Sequence, residues 1–494
     1  MAHLLLFILS LSIVIYSTFA VTLDGSLCLA KEQPELTLNE IAVRCPFAIL
    51  LTRISWIRHP FMSSWDLVDV DRACAKQGQQ ALFGNLVAYH ITSVTVQKPP
   101  KKQSSPRQRE EKVRLRSRLE RQRGRWNSHH PRYRLLDAIY GFSRYQEQNG
   151  VELRRWKTLY KHVSIPQKAM LEHVVYYSKK LEATEQLIRK NQNLCDMIVQ
   201  NALRFYEVKQ IELDQFIKDA DTNKRKADRT SVSQALKHFV RDWASDGEHE
   251  RKATFPCILR TLGTLFPQRA AEPGKHQRVL IPGAGLGRLG YDIAALGGFD
   301  VTINEWSMYM NVAYRVLETE EDLSPFTFHP FIDSWSHHAT SADMQRAVSF
   351  PDRPLNTSSV VLVEGDFTTE FQTGHSDYDA IVTHFFIDTA RNLMSYLETI
   401  HRTLRPGGYW INSGPLLYGS GPFVQLSLDE IILLSEALGF EFIETSPRCG
   451  EVTLSGKKVR SMSAIYGSNE RALNINGYKV QFWVARKRLR NGDR

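Results

Sequence analysis

The chain has 494 residues, with 63 Lys and Arg against 53 Asp and Glu, a formal charge of +10 and a pI near 9.2. That length exceeds what one hydrophobic core fills and implies roughly two to three domains, or one domain with large appendages. A hydrophobic content of 43% excludes a wholly disordered chain, and a mean hydropathy of −0.32 excludes a polytopic membrane protein. Six cysteines, none in a Cys-x-x-Cys pair, argue against a disulfide scaffold and against a cysteine-based zinc site, so no metal is expected.

The stretch Leu4 to Ala20 is uncharged and strongly apolar. It has the length of a signal-peptide core and is slightly short of the ~20 residues that cross a bilayer. His3, rather than Lys or Arg, precedes it. Residues 1–21 therefore read as a signal-like or anchor-like segment, and 22–97 as an extension with no sustained period. The next stretch, Lys98 to Arg134, holds 14 Lys and Arg against three Glu, a charge of +11 that leaves −1 for the rest of the chain. With Pro99-Pro100 and Ser104-Ser105-Pro106 it reads as a solvated linker or a frayed basic helix; nuclear import or nucleic-acid binding is the alternative.

Residues 135–270 read as a helical region. Between Tyr133 and Lys209 apolar residues recur at i, i+3, i+4 and i+7, which predicts two or three antiparallel helices, with Leu187, Leu194, Ile198 and Phe205 on a buried stripe. A polar break at 219–234 is followed by a further helical stretch ending at Pro267. From 271 to 490 the pattern alternates: a strand into Gly283-Ala284-Gly285, a helix, a strand ending at Glu305, an apolar strand at 378–384, a helix stopped by Pro406-Gly407-Gly408, and later strands. This alternation predicts a mostly parallel sheet with helices on both faces. Two final strands without a clear helix between them predict one antiparallel edge strand.

The glycine turn after a strand lets backbone approach a ligand and presents free N–H groups. Glu305, twenty residues beyond Gly285, suits the hydroxyls of a ribose, a feature shared by nucleotide-dependent oxidoreductases and methyltransferases. Gly365-Asp366-Phe367 supplies an acceptor and a ring for adenine. Together with Leu404-Arg405-Pro406-Gly407-Gly408, this ordered set resembles class I S-adenosylmethionine methyltransferases, and implies a seven-stranded Rossmann-like α/β sheet preceded by an α-helical region.

The segments PGAGLGRLG, NEWSMYM, EGDF, HFFIDTARNLMSYL and, upstream, ALKHFVRDWASDGEHER are similar to the carnosine N-methyltransferase family over about residues 133–488. The resemblance implies S-adenosylmethionine as cofactor and a small imidazole peptide as acceptor. It puts Arg241 on the methionine carboxylate, with His238 on the same helical face in place of the family's usual Gln. Gly283 and Gly285 take the methionine end, Glu305 the ribose, Asp366 and Phe367 the adenine, and His384 a cofactor-facing position. Asp388 is implied as the catalytic and substrate-binding carboxylate, with a helix N-cap as its structural alternative. Tyr478 is implied as a second substrate contact. Family members carry a His directly after Gly-Pro-Leu-Leu-Tyr, where this chain has Gly419. That departure leaves open another imidazole peptide, a different residue in the role of the His, weak activity, or a cofactor-binding protein without activity; the basic stretch 98–134 keeps open methylation of protein histidine or RNA. The helical region is expected to cap the cofactor, with homodimerisation as a second role. The catalytic part, close to neutral, predicts neither a nucleic-acid nor a membrane partner. Unpaired cysteines and the cofactor favour the cytoplasm, with the nucleus second and secretion or anchoring through Leu4–Ala20 as the opposing reading.

Overall fold

The computed structural model describes residues 18–21 and 27–30, and from 104 to 489 all but 272–273, 320–324, 356–357, 373–376, 420 and 468. In the N-terminal unit Thr18–Val21 pairs antiparallel with Leu27–Ala30. The rest of the apolar segment 4–20 and most of 22–97 lie outside the described residues. Among the described residues no helix is long and apolar enough to cross a membrane.

The unit from Gln103 onward opens with helix α1 (Pro106–Arg118). Its start is encoded locally: Ser105 and Gln108 form a reciprocal capping box, and Pro106 sits where its missing N–H costs nothing. Of the two readings of this stretch the helix is the one found, and it is not a solvated connector. Leu115 and Leu119 are buried, each contributing about 2 kcal/mol of transfer free energy, and three arginines of the helix pair with the following domain. The charge count treated these arginines as solvated because their acidic partners lie 190 to 260 residues away.

Four helices follow where two or three were expected: α2 (Pro131–Ser143), α3 (Tyr145–Tyr160), α4 (Ile165–Val174) and the long α5 (Tyr177–Phe205). Leu194 and Ile198 of α5 are fully buried, whereas Leu187 and Phe205 only flank the core. After α6 (Gln210–Thr222), the stretch read as one helix divides into α7 (Arg229–Trp243) and α8 (Glu248–Leu265) around a single turn at Ser245–Gly247.

The sheet comprises β1 (Gln277–Pro282), β2 (Phe299–Glu305), β3 (Val360–Glu364), β4 (Tyr378–His384), β5 (Leu404–Gly414), β6 (Phe440–Ile443), β7 (Arg460–Ile465) and β8 (Gly477–Lys487), with a two-residue strand at Glu451–Val452. Its order is β3-β2-β1-β4-β5-β8, and β8 pairs beyond β5 with both β6 and β7. β1 to β5 run parallel, and β8 is antiparallel to its three neighbours. The seven-stranded core is present, but two details differ from expectation. The antiparallel strand is internal, and the hairpin of β7 with Glu451–Val452 extends the sheet to nine strands. The physical reason is legible in β8: Phe482 and Val484 enter one core cluster while Trp483 and Ala485 enter the other, so both faces are covered, as an internal strand requires.

Cys257 on α8 and Cys449 are disulfide-bonded across 192 residues, with Cα atoms 5.7 Å apart. This corrects the expectation of unpaired cysteines; spacing alone gave no sign of a pair made by tertiary structure. Cys195 is free and buried.

Candidate functional site

The site forms at the carboxyl ends of β1, β2, β3 and β4, where the connections from β1 and β4 leave toward opposite faces of the sheet, the ordinary place for a ligand in such a fold. The turn after β1 has Gly283, Gly285 and Gly287 at φ +64°, +58° and +82°. A Cβ on Gly283 would lie 2.2 Å from the ring of Phe386, and one on Gly285 would lie 2.8 Å from Nδ1 of His238. Only glycine fits this turn, both for its backbone angles and for the side chains pressed against it.

The carboxyl end of α7 docks on that turn. The Leu286 N–H donates to Asp242 Oδ2 at 3.0 Å, Trp243 Nε1 donates to the Leu286 carbonyl at 2.8 Å, and Arg288 donates to the Asp242 carbonyl at 3.0 Å. His-Phe-Val-Arg-Asp-Trp is therefore a docking motif. Burial works to raise the Asp242 carboxyl, but Arg241 and the Leu286 N–H outweigh it and hold the group well below the usual carboxylate range. Arg241 Nε donates to Asp242 Oδ1 at 3.2 Å, Nη2 donates to His238 Nδ1 at 3.2 Å, and Nη1 bonds to the Tyr466 hydroxyl. Burial and Arg241 together lower the His238 pKa, so its ring is neutral. With Nδ1 accepting from Arg241, the 3.4 Å approach of His238 to Asp242 is a contact, not a second hydrogen bond.

Glu305 ends β2. Its Oε2 accepts from the Gly285 N–H at 3.0 Å and its Oε1 from the Ser307 N–H at 2.8 Å, so the carboxylate ties the second strand to the glycine turn. Burial raises its pKa against those backbone donors. Asp366 follows β3 and caps the short helix α9 (Phe367–Glu370), accepting at Oδ1 from the Thr368 N–H and hydroxyl at 2.8 and 2.6 Å. Phe367 is buried against Phe386 and Tyr396, and Phe386 in turn stacks on Tyr396 with ring centres 4.6 Å apart. The aromatic wall thus runs from the adenine-type loop to Gly283.

His384 ends β4. Its Nε2 is 2.9 Å from the Thr254 hydroxyl of α8, and burial, aided by Arg241, pushes its pKa down to about 3, leaving a neutral ring. Phe385 has φ +50°, a strained value for a non-glycine residue. It stacks on Tyr466 (4.9 Å, 14°) and meets Tyr478 edge-on at 6.0 Å. Asp388 lies in the turn Ile387–Thr389 and does not cap the helix α10 (Leu393–Thr403), whose N-cap is Asn392. It is 7% exposed, and its Oδ2 accepts from the Leu417 N–H at 3.0 Å. Burial pushes its pKa up to about 6. Tyr478 on β8 is directly opposite Ala464 and lies against Phe385 and Tyr466.

The structure links His238, Arg241, Gly283, Gly285, Glu305, Asp366, Phe367 and His384 through these contacts, and places Asp388 and Tyr478 around the Phe385 turn. Asp242, Phe385, Phe386, Tyr396 and Tyr466 escaped the sequence reading. Asp242 stood inside a motif already singled out; Tyr466 had no sequence signal. Three positive-φ glycines with no room for a Cβ, an anchored carboxylate at the end of β2 and an acid–aromatic pair after β3 fit S-adenosylmethionine.

Strand order, glycine turn and the acids that end β2 and β3 define a class I S-adenosylmethionine-dependent methyltransferase. The family model described as Carnosine N-methyltransferase matches residues 218–489, and the chain belongs to that family. The carnosine N-methyltransferase of Schizosaccharomyces pombe is 31% identical over 334 residues, 63% of this chain and 83% of that protein. The mouse carnosine N-methyltransferase is 34% identical over 296 residues, 58% of this chain and 70% of that protein.

Proposed function

We propose that this chain methylates a ring nitrogen of the histidine imidazole in carnosine or a related small imidazole peptide. The observation that carries the reading is Asp388: a buried carboxylate that accepts from the Leu417 N–H and stands three residues after Phe385, whose own ring lies against Tyr466 and Tyr478. S-adenosylmethionine, when bound, supplies a methyl group on a positively charged sulfur. Arg241 binds the carboxylate of its amino-acid end, Glu305 the ribose hydroxyls, and Asp366 with Phe367 the adenine. A free imidazole, with pKa about 6.5, is already nucleophilic at one nitrogen near neutral pH, so no strong base is required. Asp388 accepts the N–H of the other ring nitrogen, which fixes the tautomer and stabilises the imidazolium formed. The aromatic group excludes water and holds the ring in line.

The test is transfer of labelled methyl to carnosine, to other imidazole dipeptides, to histidine-bearing proteins and to RNA. Label on a dipeptide imidazole, identified by NMR of the product, is the expected result. Label confined to protein or RNA overturns it.

A further inference from the structure

β3 is the outermost parallel strand of the sheet, and its free edge is covered by α1, a helix outside the family-matched residues. Gln108 Nε2 donates to the Val360 carbonyl at 3.2 Å, and Arg118 Nη1 donates to the carbonyl of Glu364, the last residue of β3, at 3.0 Å. Covering an edge strand is an ordinary structural duty. What α1 does beyond that is specific. Arg114 and Arg118 both pair with the carboxylate of Glu370, whose side chain is only 3% exposed. Glu370 lies on α9, the short helix capped by Asp366, and folds back over Gly365. A Cβ on Gly365, at φ +138°, would lie 2.3 Å from Glu370 Oε1 and 2.7 Å from Arg118 Nη1.

From the other side the same turn is held by Asn304, whose Nδ2 donates to the carbonyls of Val363 and Gly365 at 2.9 Å each, and by the Gly365 N–H donating to the Glu305 carbonyl at 2.9 Å. Gly365-Asp366-Phe367 is therefore gripped between β2 and two arginines of a helix about 250 residues earlier in the chain. We propose that the Arg114–Glu370–Arg118 cluster positions this loop for the adenine end of the cofactor. The three residues are positioning residues: they act through Asp366 and Phe367. The inference rests on the reading of that pair as the adenine contact. Burying a carboxylate requires that its charge be matched. Arg118 Nη1 meets Glu370 at Oε1 and Arg114 Nη1 meets it at Oε2, while Nε and Nη2 of Arg114 donate to Glu111 at 2.6 and 2.7 Å, a two-point pair that fixes the direction of that guanidinium. The basic stretch that dominates the charge of the chain is thus partly consumed in shaping the cofactor site.

The test uses the full chain carrying Arg114→Gln with Arg118→Gln, and calorimetry with S-adenosylhomocysteine and with 5′-methylthioadenosine, which lacks the amino-acid end. Asp366→Ala is the reference variant. The expected result is about tenfold weaker binding of both ligands. The KM for S-adenosylmethionine should rise about as much, with kcat at saturation and the KM for carnosine unchanged. Arg114→Lys with Arg118→Lys, which keeps both charges, should recover most of the affinity. Unchanged affinity in the double Gln variant overturns the proposal while Asp366→Ala still weakens methylthioadenosine. So does a loss shared equally by carnosine and thermal stability, which marks a merely structural helix. If Asp366→Ala itself leaves methylthioadenosine binding intact, the adenine reading fails and the proposal falls with it.

Discussion

Arg241 and Tyr466, 225 residues apart, meet through a hydrogen bond and a ring contact, with the guanidinium carbon 4.8 Å from the ring centre. The same guanidinium holds His238 and Asp242. Its plane is therefore fixed from three sides before any ligand arrives, and little side-chain entropy remains to be lost on binding.

Replacing Arg241 by Lys keeps the charge and loses the fork. S-adenosylhomocysteine should then bind about 10- to 100-fold more weakly, the worth of one to two charge-assisted hydrogen bonds. Binding of 5′-methylthioadenosine should be unchanged, because the lost contact is with the amino-acid end. Tyr466→Phe, which removes only the hydroxyl, should cost a few-fold. Calorimetry with both ligands checks all three, and an equal loss for the two ligands would sink the assignment of Arg241 to the carboxylate.

Asp388 sets two opposite pH trends. Its pKa is raised by burial to about 6, so between about pH 4 and 6 the folded chain binds more protons at this group than the unfolded chain. Its contribution to stability is full below the unfolded value and is lost as pH rises through about 6. Asp388→Asn should therefore raise Tm at pH 8 and leave it unchanged at pH 4. The gain is on the order of 2 kcal/mol. Activity runs the other way, since both Asp388 and the substrate imidazole must lose a proton. Below pH 5.5 the logarithm of kcat/KM should fall with a slope approaching 2 in the native chain, and a slope of 1 in Asp388→Asn at a much lower rate. Equal slopes in the two would refute the role of this carboxylate.

The parallel half of the sheet and the loops that end its strands were legible because each strand carries a local signal: an apolar run, a glycine turn or acid at its end, and a helix stop. Glu305 and Asp366 could be placed from sequence because the site lies at strand ends. Arg241 was reached only through resemblance, since nothing in α7 itself reveals that its last turn docks on Leu286. Tyr466, Cys257–Cys449 and the Arg114–Glu370 pair were not legible. Each depends on partners more than 190 residues distant, and an exposed-looking arginine reads the same in sequence whether solvated or paired. The internal position of β8 was missed although its two-sided apolar pattern was visible in Val480–Ala485.

Gly419 follows Tyr418, at the position where the family resemblance implies a His. A Cβ there would meet nothing within 4 Å, and its φ lies outside the left-handed region. The backbone can therefore take a side chain without strain. If the acceptor is carnosine, Gly419→His should add one hydrogen bond to it and raise kcat/KM about tenfold, leaving S-adenosylhomocysteine affinity unchanged. A loss of activity on carnosine alongside intact cofactor binding would instead point to an acceptor that fills the space beside Gly419.

Gly283 offers the sharpest test of the cofactor turn. Alanine at this position would have to hold φ +64°, at a cost of about 1–2 kcal/mol, and would drive its methyl group into the Phe386 ring. Phe386 cannot yield freely, because it is stacked on Tyr396 and abuts Phe367. The strain must therefore pass into the wall between the methionine and adenine ends. Gly283→Ala should abolish measurable S-adenosylhomocysteine binding and lower Tm. Adding Phe386→Leu removes the clash but not the backbone cost, so the double variant should regain stability and only part of the affinity. Full recovery of cofactor binding in the double variant would show that the glycine is needed for space alone, and no recovery at all that its backbone angle decides.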